Sequence, residues 1–351
     1  MPWAGRGRDG YNAAVLPDRI LRPALLALLI LQFVAVGSAQ DGGPRTELVL
    51  SNPGARSMGL GGAFAALADD ATAAFANPAG LVQLLRAEAS LEGRLRLDLR
   101  DDDPEDDATE AEGLGFAFLV YPVRRVSFAL FTHRVAEVRI TPGEGAGPGE
   151  ADTETTAVTY SLAAGWRLVG SLSLGFGVAF LDAGSGPAGA AGPPAGAVAE
   201  GDNEAWALTG GLLWRPGRWR LGLFARQGAD LVLEGSRRPL TLPDVHGAGV
   251  AVRVLDGRLT LASEWDRVRF GGGGDGSGLA GIQRDSDQLR LGAELALYRS
   301  SPVIAYRAGV WSESHDPVDG RRTTHGAVGF GLAWSHVQLD LGLDASDREL
   351  T

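Results

Sequence analysis

The chain contains no cysteine and no lysine. The first absence removes disulfides, thiolate nucleophiles and thiolate metal ligands. The second leaves arginine as the strong base throughout, a pattern of genome composition rather than of function. Beyond residue 36 no apolar run approaches the roughly 20 residues that a membrane-spanning helix needs. Positive charge is in deficit too: the formal net charge of −11 argues against nucleic acid as a partner. The histidines, His133, His246, His315, His325 and His336, lack metal-ligand spacing. There is no GxSxG elbow. The run Gly271–Gly274 is followed by Asp275-Gly276 and lacks the lysine of a phosphate loop. The acidic run Asp101–Asp107, interrupted by Pro104, reads as a solvated loop rather than a cation site. No cofactor, no metal site and no enzymatic activity are expected.

What is present begins with an export signal. Arg6, Arg8, Arg19 and Arg22 precede the apolar stretch Ala24–Val36, and Gly37-Ser38-Ala39 supplies small residues for cleavage. Residues 1–39 are read as a signal peptide, with the mature chain starting at Gln40.

After Leu85 the dominant period is two. Ala89, Leu91, Gly93, Leu95, Leu97 and Leu99 share one face, while Glu88, Ser90, Glu92, Arg94, Arg96 and Asp98 share the other. Alternation alone fits both a soluble sandwich and a membrane barrel. The connections separate them. Short turns at 121–124, 168–171, 215–218, 255–258, 299–302 and near 335–336 take turns with longer polar or glycine-rich loops at 100–110, 141–152, 182–203, 228–244, 271–285 and 313–323. Tight turns at one end and long loops at the other are the habit of outer-membrane barrels. Tyr121, Trp166, Trp214, Trp219, Tyr298 and Trp334 cluster at the short turns, as an interfacial girdle would. Strands are expected near 86–99, 112–121, 124–139, 153–168, 171–181, 204–215, 218–228, 245–255, 258–270, 286–299, 302–312, 324–335 and 337–346. Thirteen is odd, so the expected fold is an all-β transmembrane antiparallel barrel of about 14 strands, the closing strand short or missing. Residues 229–243 offer one short extra strand.

Between signal and barrel lies Ser51–Leu81, rich in small residues, with a glycine cluster (Gly59, Gly61, Gly62), an aspartate pair (Asp69, Asp70) and Asn77-Pro78-Ala79-Gly80. Ala63–Ala76 has the composition of a short helix, and Asn-Pro turns the chain after it. The pieces 54–64 (GARSMGLGGAF), 68–75 (ADDATAAF) and 77–81 (NPAGL) resemble the N-terminal plug of the FadL-type outer-membrane transport family, which includes fatty-acid and aromatic-hydrocarbon channels and the PorV/PorQ-type barrels linked to secretion. The resemblance implies a hatch inside the lumen, built from Gly59, Gly61, Gly62, Asp69, Asp70, Asn77, Pro78, Ala79 and Gly80. In the transport branch the ligand leaves sideways through a kinked strand. Asp69 and Asp70 are candidate partners for lumen arginines such as Arg94 and Arg96. The chain is accordingly divided into a signal (1–39), a hatch segment (40–85) and a barrel (86–351).

Two functions follow as expectations. One is an outer-membrane channel for passive uptake of a hydrophobic small molecule of the long-chain fatty acid or hydrocarbon type. The other is a PorV/PorQ-like structural or shuttle barrel with secretion-system components as partners. Either would sit among outer-membrane lipid and lipopolysaccharide in a Gram-negative-type envelope. Residues that bind a ligand are not assigned.

Overall fold

The computed structural model describes residues 45–48, 52–97, 109–140, 153–187, 204–231, 240–270, 285–298, 301–314 and 322–346. The signal segment, the run Asp101–Asp107, the Gly271–Gly274 loop and the side chains of Arg94 and Arg96 lie outside the described residues.

The period-two segments form strands: β2 (Glu88–Leu97), β3 (Thr109–Val123), β4 (Val126–Ile140), β5 (Thr153–Val169), β6 (Leu172–Pro187), β7 (Glu204–Trp214), β8 (Trp219–Arg226), β11 (Asp244–Val254), β12 (Leu259–Arg269), β13 (Ser286–Leu297), β14 (Val303–Glu313), β15 (Thr323–Ala333) and β16 (Gln338–Ser346). Each pairs antiparallel with its neighbours in the order β16-β15-β14-β13-β12-β11-β8-β7-β6-β5-β4-β3-β2. A further strand, β1 (Arg45–Leu48), pairs with β4 and makes the sheet 14-stranded. It comes from the segment assigned above to the hatch. Several strands outrun their expected ends on the long-loop side: β3 starts at Thr109 and β6 runs to Pro187. Residues 229–243 hold two short strands, β9 (Ala229–Leu231) and β10 (Leu240–Leu242), which among the described residues pair only with each other, so the alternation of connections survives.

The burial pattern decides between sandwich and barrel. In β13, Ser286, Gln288, Arg290 and Glu294 are buried, whereas Leu289, Leu291, Leu295 and Leu297 are exposed. In β12 Glu264 and Asp266 are buried and Trp265 is 45% exposed. A water-soluble sheet would invert this, because exposed leucine forfeits about 1.5–3 kcal/mol per side chain and a buried charge costs more. The arrangement suits a sheet whose outer solvent is hydrocarbon. Trp166, Trp214, Trp219, Tyr298 and Trp334 are exposed at the short-turn end, while Tyr121 is half-buried.

Residues 52–84 pack inside this wall. Helix α1 (Ala55–Gly59) touches β14, β15 and β16, and a 3-10 turn (Pro78–Gln83) touches β3 to β7 on the other side. Ala63–Ala76 is not one helix: only α2 (Ala73–Ala76) is helical. Asp70 interrupts it, because its carboxylate accepts from Thr72 N at 3.0 Å and Thr72 Oγ1 at 2.5 Å, and Ala68 takes a φ of 36° just before it. Among the described residues no hydrogen-bonded pairing joins β2 to β16. The internal segment bridges those edges instead: Gly54 N donates to the Glu92 carboxylate of β2, and Ala55 O lies 2.6 Å from where a Cβ on Gly342 of β16 would sit.

Candidate functional site

The internal segment is seated on a ring of strand glycines, three to seven residues from the short turns. A Cβ on Gly175 would overlap Ala79 N and Pro78 C; on Gly211, Asn77 Oδ1; on Gly222, Ala65 O; on Gly292, Leu60 O; and on Gly309, Gly61 N. At Gly165 it would lie 2.6 Å from Pro78 O. Strand registers align them in rows: Gly165 opposes Gly175, which opposes Gly211, and Gly292 opposes Gly309. Glycine is required where two backbones approach this closely.

Most of the predicted residues meet the wall or its charges, while Gly80 packs within the segment itself. Gly61 and Gly62 have φ of 62° and 76°, and Gly62 runs under the Arg290 guanidinium. Gly59 lies against Gly329, and Gly80 against Ala68 O. Asn77 is fully buried: its Nδ2 donates to Ala65 O at 2.9 Å and to Leu212 O of β7 at 3.2 Å, and its Oδ1 accepts from Ala79 N at 3.2 Å. Pro78 opens the 3-10 turn, where its missing N–H costs nothing. Ala79 O accepts from Ser173 Oγ at 2.9 Å.

Charges lock segment to wall. Arg56 donates to Asp69 at 2.7 Å, Asp70 at 3.2 Å and Glu294 of β13 at 2.8 and 3.0 Å. Asp69 also accepts from Arg220 at 3.2 Å and Arg253 at 2.9 Å. Glu294 continues to Arg307 at 2.7 Å, and Arg307 to Asp340 at 2.7 Å. Glu264 accepts from Phe64 N at 2.7 Å and Ala65 N at 2.5 Å, and Asp266 holds Arg290 at 2.9 Å. Sequence reasoning identified Asp69 and Asp70 but missed Arg56, Glu264, Glu294 and Arg307.

The two aspartates are set apart by these neighbours. Burial pushes both carboxyls up; at Asp69 the guanidiniums of Arg56, Arg220 and Arg253 outweigh it and hold the group below its ordinary value. At Asp70 burial wins over Arg56 and the Thr72 hydrogen bonds, and the value is raised. The docked state therefore gains from Asp69 at neutral pH and loses that gain as pH falls through its depressed value. The contribution of Asp70 has the opposite sign, being fullest in acid and lost as pH rises through its raised value. Ion leakage through reconstituted protein should thus stay flat from pH 7 into the range where Asp70 protonates, and rise only below the ordinary aspartate value. A rise between pH 7 and 5 would contradict this assignment.

On the long-loop side of the segment lies a partly open pocket spanning about 620 Å³, a space that includes open solvent at its mouth. Its walls include Phe75, Phe131, Val135, Leu181, Ala207 and Leu242. Phe75 and Phe116 both lie against the His133 ring, at 4.6 and 4.9 Å. Arg226 lies 3.6 Å over the Phe75 ring and donates to Phe75 O at 2.9 Å. Polar contacts are few: Thr159 Oγ1 bonds His133 Nδ1 at 2.8 Å, and Ser161 Oγ is buried without a hydrogen-bond partner among the described residues. Leu242 of β10 lines the pocket, and Leu231 of β9 packs with it and with Val135, Leu181 and Ala207. Beside the cavity the β3-facing edge of β4 changes partner. It pairs with β3 up to His133 and with β1 from Ala136, while on the opposite edge the ladder to β5 shifts register between Arg134 and Ala136.

No family model matches the sequence, and no curated protein does. Solved structures do. The CymD monoaromatic hydrocarbon channel superposes with a TM-score of 0.58 at 17% identity, over 86% of this chain and 94% of its own. The Ralstonia pickettii toluene transporter TbuX gives 0.53 at 15%, over 85% and 97%. A Pseudomonas aeruginosa FadL homologue gives 0.52 at 15%, over 89% and 90%. At such identities the likeness is one of architecture: this chain has the fold of the FadL-type channels.

Proposed function

We propose that the protein is an outer-membrane channel for passive passage of a hydrophobic small molecule, with residues 52–84 as its hatch. The observation that carries the reading is the apolar cavity whose floor is Phe75 of the internal segment. A polar lumen has no use for such a chamber unless an apolar solute stops there. The solved structures of the same fold include proteins described as hydrocarbon channels and toluene transporters, which supports the class of solute. The hatch role rests on the glycine seat and the Arg56 network: the first fits the segment to the wall and the second holds it by breakable bonds. The exit we favour is lateral, at the Arg134–Ala136 irregularity, where β4 exchanges β3 for β1 beside Val135. Export by residues 1–39 and insertion among outer-membrane lipid and lipopolysaccharide complete the proposal. Nothing in the fold favours the secretion-barrel alternative.

Filling the chamber tests it. Ala207 is 7% exposed and lines the cavity. In Ala207→Trp the indole would occupy the space of a single-ring arene. Equilibrium binding of radiolabelled toluene to detergent-extracted protein should be saturable in the wild type and weakened at least tenfold in the variant. Equal binding by both would place the solute elsewhere.

A further inference from the structure

The opposite side of the internal segment carries a second feature. Arg167 of β5, Arg215 just beyond β7, Arg220 of β8 and Arg253 of β11 stand two or four residues from Gly165, Gly211, Gly222 and Gly249 on their own strands. An even spacing keeps them on the same lumen-facing side. At about 3.3 Å per residue they form a tier about 7–13 Å nearer the short turns.

They converge on the underside of the hatch. Arg167 Nη2 donates to Val82 O at 2.7 Å. Arg215 Nη1 and Arg220 Nη1 donate to the same Gln83 Oε1, at 3.2 and 3.1 Å. Arg220 Nη1 and Arg253 Nη2 reach the same Asp69 Oδ2, at 3.2 and 2.9 Å. Two of the four guanidiniums, those of Arg220 and Arg253, reach the Asp69 carboxylate, which Arg56 draws on as well, while Arg167 and Arg215 bond neutral acceptors. The Nε atoms of Arg167, Arg215 and Arg253 are buried and have no hydrogen-bond partner among the described residues. Each guanidinium has five donors in a planar fork. Like charges this close, with donors left over, make a site short of acceptors and of negative charge. It is also reachable, since the Arg253 side chain is 38% exposed.

We propose that this arginine tier is an anion site at the short-turn mouth of the barrel. It takes an oxyanion head, a carboxylate or a phosphate, by forked hydrogen bonds from Arg167 and Arg215, with Arg220 and Arg253 supplying field and further donors. It is separate from the apolar cavity, because the hatch lies between them, with Phe75 toward one and Gln83 toward the other. The inference does not rest on the transport reading.

The test is calorimetric titration of the full chain in a neutral maltoside, in phosphate-free buffer, with inorganic phosphate, butyrate and laurate in turn. Saturable one-to-one binding is expected, weakened tenfold or more in Arg167→Gln/Arg215→Gln. A control variant, Arg218→Gln/Arg258→Gln, makes the same charge change at exposed residues of the same end and should bind as the wild type does. Laurate binding tighter than butyrate would assign the head to an amphiphile; equal affinities would assign it to a free anion. Absence of saturable binding by the wild type, or equal weakening in both double variants, would overturn the proposal. Toluene binding in the cavity should be unchanged in Arg167→Gln/Arg215→Gln, which keeps this result distinct from the fate of the channel reading.

Discussion

Replacing Gly175 with valine should open the barrel. A Cβ there overlaps Ala79 N and Pro78 C and lies 2.7 Å from Ala79 Cα, so backbone rather than a movable side chain must yield. Overpacking a fitted site costs about 1–3 kcal/mol, more where backbone is hit. The sheet itself should tolerate valine, a good strand residue. The cost therefore falls on hatch docking and not on the strand. Release of an entrapped dye too large for the closed protein should rise at least tenfold from liposomes carrying Gly175→Val. Gly210 supplies the control: a Cβ there meets nothing within 4 Å, and Gly210→Val should leak no more than the wild type. Equal leakage from both variants would remove the glycine seat as the hatch's support.

The second large effect is at Arg56. Its side chain is 13% exposed and holds Asp69, Asp70 and Glu294 together. Truncation leaves three carboxylates near one another without the cation they share. Removing one partner of a buried ion pair costs about 3–5 kcal/mol. Arg56→Ala should undock the hatch while the strands stay paired. The chain has no cysteine, so a single Ala74→Cys reports on this without background. Ala74 is 2% exposed. A bulky maleimide should label it slowly in the Ala74→Cys protein and at least a hundredfold faster when Arg56→Ala is added. Slow labelling in both would mean that the hatch is held by the glycine seat and Glu264 without help from Arg56.

The strands were legible because period two is a backbone property that every face of the barrel repeats. All thirteen appear within a few residues of their expected positions. The sense of the alternation was not legible from it: Leu289-Arg290-Leu291 reads the same in a sandwich and in a barrel, and the burial of Arg290 against Asp266 adds to the connections what the triplet lacks. The composition of 51–81 pointed to a compact internal segment, and Asn77 does bond the turn that follows it. Its bond to Leu212 O could not be foreseen, since it joins residues 135 apart. The helix expected over Ala63–Ala76 failed because alanine propensity is weak beside the Asp70–Thr72 turn and the bonds of Phe64 N and Ala65 N to Glu264. The glycine ring left a trace in the strands: Gly165, Gly211, Gly222 and Gly249 each fall an even number of residues from an arginine near a short turn. Reading that trace needs the hatch in place. Phe75 looked like one more small-segment residue, and its part in the cavity depends on Phe131 and His133 arriving from β4.

The central claim is that an apolar solute crosses by way of the chamber above Phe75. It is tested most directly by the flux of a labelled alkylbenzene into liposomes holding wild-type protein, Ala207→Trp protein or none. Uptake by the wild type is expected well above that of the empty vesicles, and uptake by Ala207→Trp close to theirs. Wild-type flux no greater than that of empty vesicles, or unchanged flux in the filled variant, would contradict it.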